Sequence, residues 1–163
     1  MAQIMGDTPI KSWARMHRYG IKGARGDKYV GNEINAILDV SGSMSGLLEP
    51  VLSNLYQNNI VINLVLADTR VTEVYKTTSK KELQNIKISG YGGTDFQPAI
   101  DYIANRKDII KNNTVILTDG FCPSINVDKL KGRTLIITTD DMVNISGNNS
   151  NKVKQIKMER GDL

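Results

Sequence analysis

An α/β fold with a mostly parallel central sheet and one antiparallel strand is the architecture this sequence predicts, on three observations. Short, nearly continuous apolar runs recur at residues 33–40, 61–67, 114–118 and 133–138; a run without alternation suits a strand buried on both faces. Amphipathic stretches at residues 45–58 and 96–105 lie between them, as crossover helices lie between parallel strands. Residues 71–77 alternate and follow the second run after the turn 68–70, which predicts a hairpin and hence one antiparallel pairing. The chain has 163 residues, 40% hydrophobic and 23% charged, enough for one domain with a real core and too apolar for a disordered chain.

The elements follow in order. Residues 1–32 are basic and glycine-rich and are read as an N-terminal arm, with one short helix around residues 11–19 and Trp13 packing the arm onto the domain at 33–163. The run EINAILDV, from Glu33, is the first strand. Residues 45–58 place Leu47, Leu48, Val51, Leu52, Leu55 and Tyr56 on one helical face, with Pro50 tolerated only in the first turn. VINLVLA is the second strand, and the hairpin partner is the third. Residues 80–86 make a short helix, and Gly90 to Gly93 a flexible loop. Residues 96–105 form a helix with Phe96, Ala99, Ile100 and Ile103 inward and Thr94 or Asp95 as its cap. TVILT and RTLIIT are two more buried strands. Residues 146–151 are a polar loop, and residues 153–158 a last strand.

In a parallel sheet, ligands bind beyond the carboxyl ends of the strands. Three loops lie there, after Val40, Ile88 and Thr118. The first reads Asp39-Val40-Ser41-Gly42-Ser43. Gly42 is expected to let the backbone turn sharply, so that both hydroxyls face one spot. The second offers Thr94 and Asp95 after Gly92-Gly93, and the third offers Asp119 before Gly120. Singly, each fragment is also what a helix cap or a turn uses. Together they form a set of hard oxygen donors, Asp39, Ser41, Ser43, Thr94 and Asp119, suited to Mg2+ or Mn2+ with positions left for water. Asp68 is either an outer-shell acid or a hairpin turn residue. Asp95 either orients a metal-bound water or caps its helix.

These five donors, in this order, resemble the metal-ion-dependent adhesion site of von Willebrand factor A (VWA) domains, over residues 33–140. The sequence is more closely similar to the VWA-like domain at the carboxyl end of predicted bacterial metallopeptidases. That likeness is carried by Leu38-Asp39-Val40-Ser41-Gly42-Ser43, by Asp68, by Gly92-Gly93-Thr94-Asp95-Phe96, by Leu117-Thr118-Asp119-Gly120, and by Ser12-Trp13 with Arg18 ahead of the first strand. The resemblance implies a Rossmann-like three-layer sandwich. It implies Mg2+, replaceable by Mn2+ or Ca2+, held by Ser41, Ser43 and Thr94, with Asp39 and Asp119 bound directly or through water. It implies a protein partner whose Asp or Glu completes the octahedron, with an AAA+ ATPase or a peptidase-like subunit as the expected kind, in a bacterial or phage setting.

Other function classes fit less well. The metallopeptidase half is missing: no HExxH is present and His17 is the single histidine, so a zinc protease site cannot be assembled. A haloacid-dehalogenase-like phosphatase would also place an Asp at the end of its first strand, but Ser41 stands where its second Asp belongs. No GxSxG elbow or Gly-Lys-Ser/Thr loop occurs. Net charge is +4 and the isoelectric point about 9.1, with basic residues gathered at both ends, so a nucleic-acid-associated VWA protein is an alternative. Aromatic content is only 6%, which offers few stacking platforms. Cys122 is the single cysteine and reads as a small apolar residue. No apolar run nears the about 18 residues of a membrane span, and a cytoplasmic location is expected. The reading is a Mg2+-dependent protein–protein interaction module, not an enzyme.

Overall fold

A computed structural model describes residues 9–12, 26–29, 33–44, 61–77, 82, 86 and 92–158. The expected helix over 45–58, most of the segment 80–86, Gly90, Tyr91, Trp13, His17 and Arg18 lie outside the described residues. The chain divides into two units, Met1–Asn32 and Glu33–Leu163.

In the first unit, β1 (Pro9–Ser12) pairs antiparallel with β2 (Gly26–Tyr29), Pro9 opposite Tyr29 and Ser12 opposite Gly26. Lys11 and Ser12 are therefore extended where a helix was expected to begin. Pro9 opens the strand, the position where its missing N–H costs the ladder nothing, and β-branched Ile10 favours the extended chain.

The second unit is a Rossmann-like α/β sandwich of three layers. Its strands are β3 (Glu33–Asp39), β4 (Val61–Ala67), β5 (Val71–Thr77), β6 (Asn113–Thr118), β7 (Ile125–Asn126), β8 (Thr134–Thr138), β9 (Ile145–Ser146) and β10 (Val153–Lys157), with helix α1 (Gln97–Ala104) between β5 and β6. The central sheet runs β10-β8-β6-β3-β4-β5, parallel throughout except for the β4–β5 hairpin. The apolar runs expected as strands are strands, and the alternating one is the antiparallel edge.

Both faces of the sheet are buried, which accounts for the unbroken apolar runs. On one face Ile37, Val65, Ile116 and Ile136 pack with Phe96, Ile100 and Ile103 from α1 and its lead-in. On the other, Ile34, Ala36, Leu38, Leu64, Leu66, Val115 and Leu117 are each at most 3% exposed. Helix α1 buries Ala99, Ile100 and Ile103, a stripe at helical spacing. Pro98 sits in its first turn, where no intrahelical N–H is needed.

The crossover from β6 to β8 has no helix. Ile125, Val127 and Leu130 cover the sheet there instead, on a chain of turns. The two-residue strands β7 and β9 pair parallel, so Ser146 is strand where a loop was expected. The sheet's edges carry charge, Glu73 and Lys76 on β5 and Lys154 and Lys157 on β10, a common guard against edge-to-edge pairing. No helix among the described residues is long and apolar enough to cross a membrane.

The order of strands positions the site. From β3 the chain moves to β4 and β5 on one side, then returns to β6, β8 and β10 on the other. The winding reverses at the carboxyl end of β3, the place where sheets of this kind bind ligands.

Candidate metal centre

Parallel pairing puts Leu38 opposite Leu117, so Asp39 and Thr118 leave the sheet side by side. The Thr118 hydroxyl donates to Asp39 Oδ2 at 3.0 Å. The Ser41 N–H donates to Asp39 Oδ1 at 2.8 Å. The chain then makes a 3-10 turn, Gly42–Met44, closed by the Met44 N–H on the Ser41 carbonyl at 3.0 Å. Met44 is 1% exposed and pins the turn. Gly42 is not what permits it: its φ is not positive and a Cβ there would meet nothing within 4 Å. The carboxylate cap and the buried Met44 do the bending.

That turn aligns the two hydroxyls. Ser41 Oγ lies 3.1 Å from Ser43 Oγ, and the Ser43 hydroxyl donates in turn to Asp119 Oδ2. The other Asp119 oxygen accepts the Phe121 N–H at 3.0 Å. The Asp119 carbonyl accepts the N–H groups of Asp140 and Asp141 at 3.1 and 2.9 Å. Gly120 makes this crossing possible. Its φ is +97°, and a Cβ would stand 1.8 Å from the Asp141 carbonyl oxygen, so only glycine fits. Asp39, Ser41, Ser43 and Asp119 are thus one hydrogen-bonded group. Asp39, Ser41 and Asp119 are buried, and exposed Ser43 opens the group to solvent.

The other expected residues stand in the neighbouring loop. Thr94 is half-buried and makes no hydrogen bond to the four. Asp95 Oδ1 accepts the Gln97 N–H at 2.9 Å, one residue ahead of the N-cap position of α1, which is Phe96 and carries no side-chain cap bond. The Asp95 N–H donates to the Asp68 carbonyl at 2.7 Å, tying this loop to the β4–β5 turn. Asp68 Oδ1 accepts the N–H groups of Thr69 and Arg70, as a turn residue does. Its Oδ2 borders Gly92, 3.3 Å from where a Cβ there would stand. Sequence reasoning gave Thr118 no role. Its signal was a hydroxyl closing an otherwise apolar strand: it holds Asp39 and also accepts the Gly120 N–H at 3.1 Å.

The electrostatics are those of buried negative charge. Burial pushes the Asp39 carboxyl above its ordinary value, the hydrogen bonds from Ser41 and Thr118 oppose this, and the charge of Asp119 adds to it. Neither Asp39 nor Asp119 forms a salt bridge among the described residues. Buried carboxylates without a counter-charge are costly. The Cys122 thiol is pushed up to about 11, first by burial and then by Asp39, Asp119 and Asp95. It is a poor nucleophile at neutral pH.

The donor set suits a hard cation. Among the described residues no group of three or more His, Cys, Asp or Glu is placed to hold a metal. The centre depends instead on two carboxylates and two serine hydroxyls, oxygen ligands of the kind Mg2+ and Mn2+ take.

Residues 34–146 match a family model described as VWA-like domain (DUF2201). An uncharacterized protein of Thermotoga maritima is 38% identical over 92 residues, an overlap of 53% of this chain and 22% of the relative. The match thus spans under a quarter of the relative's length.

Proposed function

The chain belongs to the VWA-like domain family, and from that premise we propose that it is a Mg2+-dependent protein-interaction module whose centre receives a carboxylate from a partner. VWA-like domains serve in general as protein-interaction modules. The observation that carries this proposal is the convergence of Asp39, Ser41, Ser43 and Asp119 at the switch point of the sheet, with buried negative charge and no basic partner among the described residues.

Ser41 and Ser43 would hold the ion through their hydroxyls, with Thr94 added from the adjoining loop. Both Asp39 oxygens already accept hydrogen bonds within the chain, which favours a charge acting through Ser41 and water over a direct bond. Asp119 shares its Oδ2 with the exposed Ser43. Bound Mg2+ supplies a positive point that a carboxylate from outside can ligate. A first shell rich in neutral hydroxyls leaves that charge partly unmet, which is what makes an outside carboxylate welcome.

Binding suits the residues better than catalysis. Asp39 is 0% exposed with both oxygens engaged, unsuited to the attack a haloacid-dehalogenase-like phosphatase requires. The partner we propose is a protein subunit of AAA+ ATPase or peptidase-like kind, met in the cytoplasm.

Calorimetric titration with Mg2+ and Mn2+ tests this reading. Wild type should bind one ion saturably. Asp39→Ala and the exposed Ser43→Ala should lose or strongly weaken it while keeping the circular-dichroism spectrum of the fold. A chelator should then release the partner in a pull-down. A wild type that binds neither ion, or phosphate-ester turnover that follows Mg2+ and vanishes in both variants, would overturn the reading.

A further inference from the structure

Among the described residues three large hydrophobic side chains are exposed, and two of them lie close to the metal centre in the chain: Phe121, 65% exposed, on the loop that carries Asp119, and Met142, 48% exposed, on the loop after β8 that is hydrogen-bonded to it. The Phe121 N–H is held by Asp119 Oδ1 at 3.0 Å. Met142 follows Asp141, whose N–H is held by the Asp119 carbonyl at 2.9 Å. The two loops meet backbone to backbone, with Gly120 against the Asp141 carbonyl. One residue of the centre therefore fixes the backbone on which both apolar side chains stand. Asp141 is itself exposed, and its carboxylate accepts the Met142 N–H at 2.8 Å. The rim thus offers apolar surface and negative charge side by side. Exposed large apolar groups clustered beside a site are characteristic of interaction surfaces.

We infer that Phe121, Met142 and Asp141 form a docking rim for a protein segment that carries an aspartate or glutamate flanked by an apolar side chain and a lysine or arginine. The inference rests on the proposed carboxylate-receiving centre and adds what must surround that carboxylate. The apolar side chain covers Phe121 and Met142. The basic side chain meets Asp141, whose charge would otherwise repel an acidic partner. A nucleic acid fits this rim poorly, because its phosphates would face Asp141 with no lysine or arginine among the three residues that form it.

The test is selection of a random peptide library on the full chain, once with Mg2+ and once with EDTA. The expected Mg2+-dependent pool carries Asp or Glu with an apolar and a basic neighbour. A peptide from that pool should bind a Phe121→Ser/Met142→Ser variant at least roughly ten-fold more weakly, and Asp141→Asn should lose the preference for Lys or Arg. Calorimetry should show Mg2+ affinity unchanged in the Phe121→Ser/Met142→Ser variant. Acidic peptides selected without flanking preference, and bound equally by the double variant, would overturn the rim and leave the ion site standing. A Mg2+-dependent dimer abolished by Phe121→Ser would place a second copy there and overturn the assignment to a foreign segment. A wild type with no Mg2+ affinity would remove the centre itself, and the rim with it.

Discussion

At the scale of single residues, the centre depends on side chains that hold other side chains. Thr118 shows this best. Its hydroxyl donates to Asp39 Oδ2 and accepts the Gly120 N–H, so it joins the first and third loops at one buried atom. Valine has nearly the same shape and neither capacity. Thr118→Val should leave a buried carboxylate oxygen and a buried N–H unpartnered, at about 1–3 kcal/mol for each group that finds no substitute. Urea unfolding should show this as a lower midpoint with unchanged slope. The same variant should weaken Mg2+ binding, because Asp39 would no longer be held against the sheet. An unchanged midpoint would mean that Thr118 is only filling space. Asp39 and Asp119 could be picked out from sequence because a carboxylate ending an apolar run is conspicuous. Thr118 was harder to see, since threonine is also an ordinary strand residue.

At the scale of elements, the long strands were legible because burial on both faces writes a continuous apolar run, as in NLVLA and TLIIT. The irregular crossovers were not, because what shapes them is distant in sequence. Asp128 is the clearest case. Its carboxylate accepts the N–H groups of Asn148 and Asn149 at 3.0 and 2.9 Å, holding the turn that follows β9. Gly147 in that turn has φ +104°, and a Cβ would lie 2.5 Å from Asp128 Oδ2. No local pattern announces a bond across twenty residues. The two N–H donors hold the Asp128 carboxyl below its ordinary 3.8. A carboxyl lowered by folding contributes stability that is present above its unfolded value and lost as pH falls through its folded value. Asp128→Asn should therefore melt lower than wild type at neutral pH, and the gap should close as pH drops below 3.8. Melts at stepped pH check this, and a gap constant with pH would mean that the charge plays no part. The short strand β1 eluded the sequence for a related reason. The basic, glycine-rich text around it has no apolar period, and its strand character comes from pairing with β2. The centre's loops were more legible than the crossovers, because their oxygen donors repeat at fixed steps after a strand. What the sequence could not show is which of the five expected donors are joined by hydrogen bonds, as Asp39, Ser41, Ser43 and Asp119 are.

At the scale of the whole molecule, four carboxylates gather at one end of the described parallel strands. Asp39, Asp68, Asp119 and Asp141 lie where the parallel strands end, while exposed Lys111, Lys131 and Arg133 lie where β6 and β8 begin. These carboxylates draw cations to the carboxyl ends of the strands, and the repulsion between Asp39 and Asp119 works against the fold that brings them together. An ion bound there should relieve that repulsion and tie the loop after β3 to the loop after β6. Anything that binds the folded chain and not the unfolded one stabilises it by mass action, by about 2.7 kcal/mol at a hundred-fold excess over Kd. For a chain of this size, that corresponds to a rise in Tm of roughly 5–11 °C. Melting in EDTA and then in excess Mg2+ should show the rise in wild type. Ser43→Ala should show little of it, since the variant removes a donor from the open side of the centre and leaves the core intact. A rise of equal size in both proteins would mean that Mg2+ acts on the surface at large, through screening. A wild type that binds Mg2+ by calorimetry must show the rise by linkage, so the two measurements check each other.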